Sequence, residues 1–229
     1  MCAARKNHRT ELIKLSKSIY SLVLDDEVIR EIDRLAYAEG MSRSALINRV
    51  LAQEAGLSTV QMRTRDIFRR VEELLTGNML FALGEPSESA FQMRSALAYK
   101  YNPTVRYTVA LGGSGGALGE LRVQVRSRSD AFTLAVLQFF RMWEKLENLY
   151  IGASDIRFEP NRLVRRLIPH NKADGHAVSV IDADALAAYI GAFDGAMKAF
   201  FSGIDRPSEA AEAAEAKMAE YVKNNEVLM

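Results

Sequence analysis

Residues 18–55 carry the pattern that most limits how this chain can fold: one short apolar strand followed directly by two amphipathic helices. The segment SIYSLVL alternates and is rich in β-branched and aromatic residues, so it predicts a strand with Tyr20, Leu22 and Leu24 on one face. A strand and two short helices cannot bury their apolar faces alone. The sequence therefore predicts a dimer, in which two strands pair as an antiparallel ribbon across a two-fold axis.

The two helices are marked by the residues at their ends. Asp25 is predicted to cap the first helix, whose acidic first turn suits the positive end of the helix dipole, and Gly40 ends it. The second helix is predicted to begin at Ser42 and to end near Gly56. Its start, GMSRSALINRVL (40–51), combines small hydroxyl side chains with an arginine, so it can bind an anion as well as begin a helix.

This segment resembles the ribbon-helix-helix family of Arc, MetJ and CopG-type DNA-binding proteins, most clearly in the run LDDEVIREIDRLAYAEGMSRSALINRVL. Members of that family are obligate dimers that usually act as transcriptional regulators. The resemblance implies that the ribbon of the dimer enters the major groove of double-stranded DNA. It also implies that the start of the second helix sits against a phosphate.

Two sets of DNA-contacting residues follow from this resemblance and from local charge. The outward strand residues that face the bases are Ile19, Ser21 and Val23. The residues predicted to bind phosphate are Lys17, Ser42, Arg43 and Ser44. The family normally places charged or amide side chains at the base-facing positions. Two apolar residues and a serine therefore predict weaker discrimination between bases, or reliance on neighbouring contacts.

The N-terminal residues 1–17 are basic and contain a single acid, Glu11. Their cations are Arg5, Lys6, Arg9, Lys14 and Lys17. This composition fits a solvated terminus or an arm that contacts DNA. Together with the strand and the two helices, the arm defines a predicted DNA-binding domain over residues 1–56.

Residues 57–229 are predicted to form a mostly helical α+β domain, which makes the whole chain α+β. Helices are predicted over 58–77, over a segment that ends near Asn102, from Ser129, from a cap at Asp182, and after Pro207. The helix that begins at Ser129 has a heavy aromatic stripe, which predicts a core or a dimer face. This domain is expected to serve dimerisation, partner binding or ligand binding, and the sequence does not choose among them.

Alternating patterns predict the β structure of this domain. RYTVAL (106–111) and GELRVQVRS (119–127) flank a glycine-rich stretch, so a β-hairpin is predicted. HAVSVI (176–181) predicts a further strand, whereas the polar stretch over 157–175 is predicted to be irregular.

One face of the predicted hairpin is cationic. Arg122 and Arg126 lie on the side opposite the apolar residues of their strand. This side can be a solvated sheet face or a second nucleic-acid surface.

The composition argues against several other classes of protein. The net charge is +1, so attraction to DNA must come from the distribution of charge. The single cysteine, Cys2, and the three histidines, His8, His170 and His176, provide no metal-site pattern. No nucleophile with its base is readable, so an enzyme is not predicted, and no cofactor is implied. The chain has no apolar run of membrane-spanning length and no export signal, so the cytoplasm is predicted.

The predicted function is that of a dimeric, sequence-specific transcriptional regulator, such as a repressor. Two alternatives use the same N-terminal fold: a DNA-segregation protein that coats repeated centromere-like sites, and an antitoxin-like adaptor that binds a protein. The predicted partners are double-stranded DNA and a second copy of the chain, alone or in a higher-order assembly. A protein or small-molecule effector is a further candidate partner for the C-terminal domain.

Overall fold

The structure is a computed structural model of the 229-residue chain. The residues that it describes are 19–56, 60–76, 80–84, 86–87, 89–112, 117–152, 155–169 and 181–224. The chain divides into two compact units, Met1–Leu57 and Ser58–Met229. Each unit has its own secondary structure and its own pattern of burial, so the two are described separately.

The N-terminal unit consists of an extended segment and two helices, α1 (Asp26–Ala38) and α2 (Arg43–Glu54). Asp25 occupies the N-cap position of α1, but its side chain accepts no hydrogen bond from the helix, so the prediction holds for the position and not for the bond. Ser42 caps α2 as predicted, because its Oγ accepts a hydrogen bond from the backbone N–H of Ala45 at 3.2 Å.

Gly40 ends α1, as the sequence predicts. Its φ of +63° lies in the left-handed region, which glycine adopts without steric cost. The N–H of Gly40 donates to the carbonyl of Tyr37, and the N–H of Met41 donates to the carbonyl of Ala36, at 3.2 and 3.0 Å. These two bonds form a Schellman motif, which satisfies carbonyl groups at the end of the helix.

Residues 19–25 form neither a helix nor a strand of a sheet within the described part of this single chain, and the backbone of Asp25 is extended. An isolated extended segment has no partner for its backbone groups, and the predicted ribbon takes its second strand from another copy. The ribbon therefore stays a prediction.

The C-terminal unit combines four helices with six strands over its described residues. The helices are α3 (Val60–Thr76), α4 (Asp130–Tyr150), α5 (Ala183–Ser202) and α6 (Pro207–Asn224). The strands are β1 (Phe81–Ala82), β2 (Ala90–Ala96), β3 (Thr104–Leu111), β4 (Gly119–Val125), β5 (Ile156–Glu159) and β6 (Arg162–Leu167). The strands form one antiparallel sheet in the order β1-β2-β3-β4-β6-β5.

The predicted β-hairpin is confirmed. Strands β3 and β4 pair antiparallel from Val105 opposite Val125 to Leu111 opposite Gly119. Alternate residues of both strands are buried, as expected for a sheet with one face on the core. The centre of the connecting loop lies outside the described residues.

Two predictions for this unit are wrong. The segment predicted to be a helix ending near Asn102 contains strand β2, in which Phe91 and Met93 are buried while Gln92 and Arg94 are exposed. Alanine, leucine and methionine favour a helix, but the period-two alternation and the adjacent β3 decide the structure here. In this segment the period-two alternation and the pairing with β3 therefore outweigh the helix propensity of the residues.

The stretch over 157–175, predicted to be irregular, contains most of β5 and the whole of β6. These strands form a hairpin around Pro160 and Asn161. Arginines made the stretch look polar, yet Leu163 and Leu167 of β6 are buried at alternate positions. The strand predicted over 176–181 falls almost entirely outside the described residues.

The predicted helix starts in this unit are confirmed at Ser129 and Asp182. Ser129 accepts a hydrogen bond from the N–H of Phe132 at 3.3 Å, and Asp182 accepts one from the N–H of Asp184 at 2.8 Å. The aromatic stripe of α4 lies in the core, where Phe139 and its neighbours pack against α5. The remaining buried residues of that stripe are Phe132, Val136, Trp143 and Leu146.

A buried polar network joins α4, β6 and α5. The Nε of Arg165 donates to both carboxylate oxygens of Glu147 at 3.1 Å, and both side chains are almost completely buried. Glu147 also accepts hydrogen bonds from the indole N–H of Trp143 at 3.1 Å and from the hydroxyl of Tyr189. The Arg165 guanidinium lies over the Tyr189 ring, 4.7 Å from its centre. The buried charges are therefore compensated.

Candidate nucleic-acid interface

The N-terminal unit leaves most of its apolar side chains in solvent. Among its described residues, only Ala36 and Leu46 are buried hydrophobic residues. The larger apolar residues that remain exposed include Tyr20, Leu22, Leu24, Val28, Leu35, Val50 and Leu51. A folded unit seldom leaves so many large apolar side chains exposed unless another molecule covers them.

The two faces of the extended segment differ in exposure. Ile19 and Val23, predicted to face the bases, are each 101% exposed, and Ser21 between them is also exposed. On the other face, Tyr20, Leu22 and Leu24 are 83%, 57% and 37% exposed, so only the two leucines are substantially covered. Since successive residues of an extended chain point to opposite sides, the less exposed set corresponds to the face predicted to seal the dimer.

The start of α2 has the donors that an anion requires. Within the described residues, no acceptor takes the backbone N–H of Arg43 or Ser44, because these are the first positions of the helix. The hydroxyls of Ser42 and Ser44 lie 3.3 Å apart and are exposed. This end also carries the positive pole of the helix dipole. The structure therefore brings Ser42, Arg43 and Ser44 together at the exposed start of α2.

Arg43 is already engaged by a carboxylate that the sequence analysis did not single out. Its Nε and one terminal nitrogen donate to the two carboxylate oxygens of Asp33 in α1, each at 2.5 Å. These hydrogen bonds, and the negative charge of Asp33, raise the pKa of the Arg43 guanidinium. Residues ten positions apart on different helices show no such pairing in a sequence pattern.

Arg49 forms the same kind of pair two turns further along α2. It donates to both carboxylate oxygens of Glu39 at 2.5 and 2.7 Å. Two arginines of α2 thus have bidentate links to α1 or to Glu39, the residue directly after it, but differ in their distance from the start of α2. A substitution of Arg49 is therefore a suitable control for a substitution of Arg43.

The fourth predicted phosphate-binding residue, Lys17, lies outside the described residues, as does the rest of the basic arm. Of the residues predicted to contact DNA, the structure therefore describes residues 19, 21 and 23 and the start of α2.

A cavity of about 790 Å³ lies between α3, α5 and α6 of the C-terminal unit. Its lining combines small residues of α5 with charged groups. Asp194 at its base is buried, accepts a hydrogen bond from the Tyr107 hydroxyl at 2.8 Å, and pairs with Lys198 at 2.6 Å. A groove of this size and polarity can hold a small polar molecule.

The described part of the chain has neither a membrane-spanning helix nor a metal-binding cluster. No helix there is both long enough and apolar enough to cross a lipid bilayer. The same ranges contain no group of three His, Cys, Asp or Glu side chains arranged to hold a metal ion.

An extended segment, two short helices and an open helix start define the class of small DNA-binding units that dimerise through a β-ribbon. Residues 21–58 match the family model described as ribbon-helix-helix protein, copG family. The N-terminal segment is therefore a ribbon-helix-helix domain, and domains of this family dimerise and bind DNA as regulators rather than acting as enzymes. No curated protein and no solved structure matches the chain.

Proposed function

We propose that this protein is a dimeric, sequence-specific transcriptional regulator. The observation that carries the proposal is the exposed apolar surface of the N-terminal unit, which includes Leu22, Val28 and Leu35. A second copy would cover this surface and would supply the missing strand of the ribbon. The ribbon-helix-helix match supports the same conclusion, because domains of that family dimerise and bind DNA.

In this proposal the outward residues of the ribbon enter the major groove. Ile19 and Val23 make apolar contacts, of the kind that a thymine methyl group offers, and Ser21 supplies the polar side chain. One serine per strand gives few hydrogen bonds to base edges. Sequence preference should therefore be modest at each position, and Ser21→Ala should change it at one base position.

The start of α2 binds the DNA backbone in this arrangement. The free N–H groups of Arg43 and Ser44 point toward a phosphate, and the hydroxyls of Ser42 and Ser44 add donors. The Arg43 guanidinium exchanges the Asp33 carboxylate for the phosphate, which also carries negative charge. Lys17 and the basic arm add contacts that depend on salt concentration.

The two units have different roles in this proposal. Residues 1–56 form the DNA-binding domain, and residues 57–229 form the α+β domain that receives a partner or an effector. The cavity between α3, α5 and α6 is a suitable place for a small polar effector. We place the protein in the cytoplasm, where it acts as a repressor at its target sites.

Genome-wide recovery of bound DNA tests the proposal with three chains: the wild type, Arg43→Ala and Arg49→Ala. Each substitution removes one arginine and one bidentate pair with α1, but only Arg43 lies at the start of α2. The wild type and Arg49→Ala should recover the same sequence-enriched sites, and Arg43→Ala should lose most of them at physiological salt.

Three results would contradict this account in different ways. If the wild type recovers no sequence-enriched sites, it is not a sequence-specific regulator. If its footprints spread over tandem repeats instead of isolated operators, the protein serves DNA segregation. Equal losses in the two arginine variants would show that Arg43 has no special role at the backbone.

A further inference from the structure

The face of the C-terminal sheet that points away from the core carries an unusual amount of positive charge. Its core-facing side is mostly apolar, with the buried Arg165, paired with Glu147 of α4, as its charged exception. The opposite side has six arginines on its strands: Arg94, Arg106, Arg122, Arg157, Arg162 and Arg166. Its acids on the same strands are Glu120 and Glu159. We call this surface the arginine face.

The charge of this face does not follow from the overall composition. The whole chain has 30 basic and 29 acidic residues, so an average surface of this protein would be close to neutral. Moreover, the strand cations of the face are all arginines. A guanidinium presents a planar set of donors that matches a phosphate, whereas a lysine offers only a point charge.

Three of these arginines have no acidic partner among the residues that the structure describes. Arg122 pairs with Glu120, and Arg157 and Arg166 both approach Asp155. By contrast, no carboxylate in the described part of the chain lies within ion-pair distance of the remaining ones, Arg94, Arg106 and Arg162. Their charges are thus available to an anion from outside the unit.

The register of the sheet places these three residues in one row. Arg94 of β2 lies directly opposite Arg106 of β3, which lies opposite Gln124 of β4, which in turn lies opposite Arg162 of β6. With strands about 4.8 Å apart, the row from β2 to β6 is about 14 Å long. One DNA strand passes about four phosphates over that axial length.

The pairing of Arg94 with Arg106 is itself informative. Like charges directly opposite each other on neighbouring strands destabilise a sheet. An anion that binds between the two guanidinium groups would turn this repulsion into attraction. The arrangement therefore suits anion binding better than it suits a sheet face that only meets water.

We infer that the arginine face is a second DNA-binding surface, which contacts the phosphate backbone of double-stranded DNA without reading its sequence. The choice of DNA rests on the proposed function, which places this chain on DNA through its N-terminal unit. Single-stranded nucleic acids are bound mainly by stacking on aromatic side chains. The row begins at one aromatic residue, Phe81 of β1, and ends at an acid, Glu159 of β5. Between them it offers three arginines and Gln124, so it has no series of aromatic side chains on which bases could stack.

The test compares full-length chains on a duplex of arbitrary sequence, about 60 base pairs long, at several salt concentrations. The face variant carries Arg94→Gln, Arg106→Gln and Arg162→Gln. The control variant carries Arg65→Gln, Arg69→Gln and Arg141→Gln, three exposed arginines on α3 and α4. Both variants lose the same charge, so the comparison separates a specific surface from a general electrostatic effect.

The face variant should bind the duplex about 10- to 100-fold more weakly than the wild type, and its plot of log affinity against log salt should be less steep by about two to three units. The control variant should stay within about threefold of the wild type. Replacing the same three residues by lysine should retain most of the salt dependence, because the charge remains. If the face variant does not fold by circular dichroism, Arg94→Gln alone should lower the steepness by about one unit.

Equal affinities of the face and control variants would overturn the inference. It would also be overturned if the face variant lost binding to single-stranded DNA or RNA and kept its affinity for the duplex. The variant Arg43→Ala, measured alongside, distinguishes DNA binding by the arginine face from the proposed phosphate clamp at the start of α2. A loss with Arg43→Ala alone refutes the arginine face, whereas a loss with the face variant alone refutes the proposed clamp at α2. A wild type that binds no duplex refutes both.

Discussion

The two units of this chain solve the problem of burying apolar side chains in opposite ways. The C-terminal unit has a continuous core built from one sheet face and its helices, with aromatic residues such as Phe139 and Phe193 at its centre. The N-terminal unit buries only Ala36 and Leu46 among its described hydrophobic residues. Since burial of apolar surface is the main source of stability, we expect the C-terminal unit to fold alone and the N-terminal unit to need a partner.

This difference explains why the sequence pattern of the N-terminal unit indicates its function more directly than that of the C-terminal unit. In the proposed function, the same residues of the N-terminal unit complete the fold and form the DNA-binding dimer, so the sequence pattern of this unit indicates function directly. In the C-terminal unit the core explains most of the pattern. Its functional groups are placed on the outer face of a sheet that only the fold assembles.

The largest effect on the difference between the two units is expected from a charge on the inward face of the ribbon. Leu22→Asp should abolish the dimer at micromolar concentration and weaken DNA binding by at least about 100-fold, because an unpaired carboxylate would be buried in the interface. Sedimentation equilibrium and DNA titration measure the two effects. Val23→Asp, one residue further on the outward face, should keep the dimer. If both variants dimerise equally, the assignment of the two faces is wrong.

The sequence predicted the N-terminal unit well because its signals are local. Ser42 and Gly40 mark helix ends through bonds to residues a few positions away, and the structure confirms both. The pairing of Arg43 with Asp33 could not be predicted in the same way, since it depends on how two helices cross. The alternation of the strand predicts which residues face outward. It does not predict which bases they contact, because that depends on the DNA sequence.

In the C-terminal unit the errors have a common physical origin. Strand β2 was predicted to be a helix because its alanines favour helices, and the pairing with β3 overrides that preference. Strand β6 was missed because arginine occupies three of its positions, one of which, Arg165, is buried against Glu147. The row formed by Arg94, Arg106 and Arg162 exists only in the assembled sheet, so no sequence pattern reveals it.

The second prediction concerns the self-contained core of the C-terminal unit. Glu147→Ala leaves the Arg165 guanidinium buried without its carboxylate, so the free energy of unfolding of this unit should fall by about 3–5 kcal/mol. Urea denaturation followed by fluorescence measures this value, because the single tryptophan, Trp143, lies in the same network. Glu144→Ala, a less buried position on the same helix, should cost less than about 1 kcal/mol. Similar losses in both variants would refute the importance of the buried pair.

Alkaline pH should also act on this core. Burial, together with Asp194, raises the pKa of the Tyr107 hydroxyl well above its usual value, and burial with Glu147 does the same for Tyr189. The unfolded chain therefore releases these protons first, at about pH 10, and the folded unit loses stability as the pH rises further.

Each of these tyrosines should contribute a loss of up to about 1.4 kcal/mol per pH unit to the C-terminal unit in that range. Urea denaturation at a series of pH values, again followed by the fluorescence of Trp143, gives the slope. In Tyr107→Phe the slope above pH 10 should be smaller by about one such contribution. Identical slopes in the wild type and this variant would contradict the effect of burial on Tyr107.

The smallest expected effect concerns the carboxylate that holds Arg43. Asp33→Asn removes a negative charge beside the proposed phosphate position and leaves the arginine free to turn to DNA. Because exposed ion pairs are worth less than about 1 kcal/mol, DNA affinity should rise only about threefold. Glu39→Gln, which releases Arg49 instead, should leave the affinity almost unchanged. An equal gain in the two variants would mean that only net charge matters.

Amide hydrogen exchange of the full-length wild type at a series of protein concentrations tests the central claim most directly. The claim is that the N-terminal unit completes its core only with a second copy, whereas the C-terminal unit is complete in one chain. Protection of the amides in α1 and α2 should therefore increase with protein concentration, and protection of the C-terminal sheet should not change. Strong protection of α1 and α2 that does not depend on concentration, measured in a monomeric chain, would contradict the account.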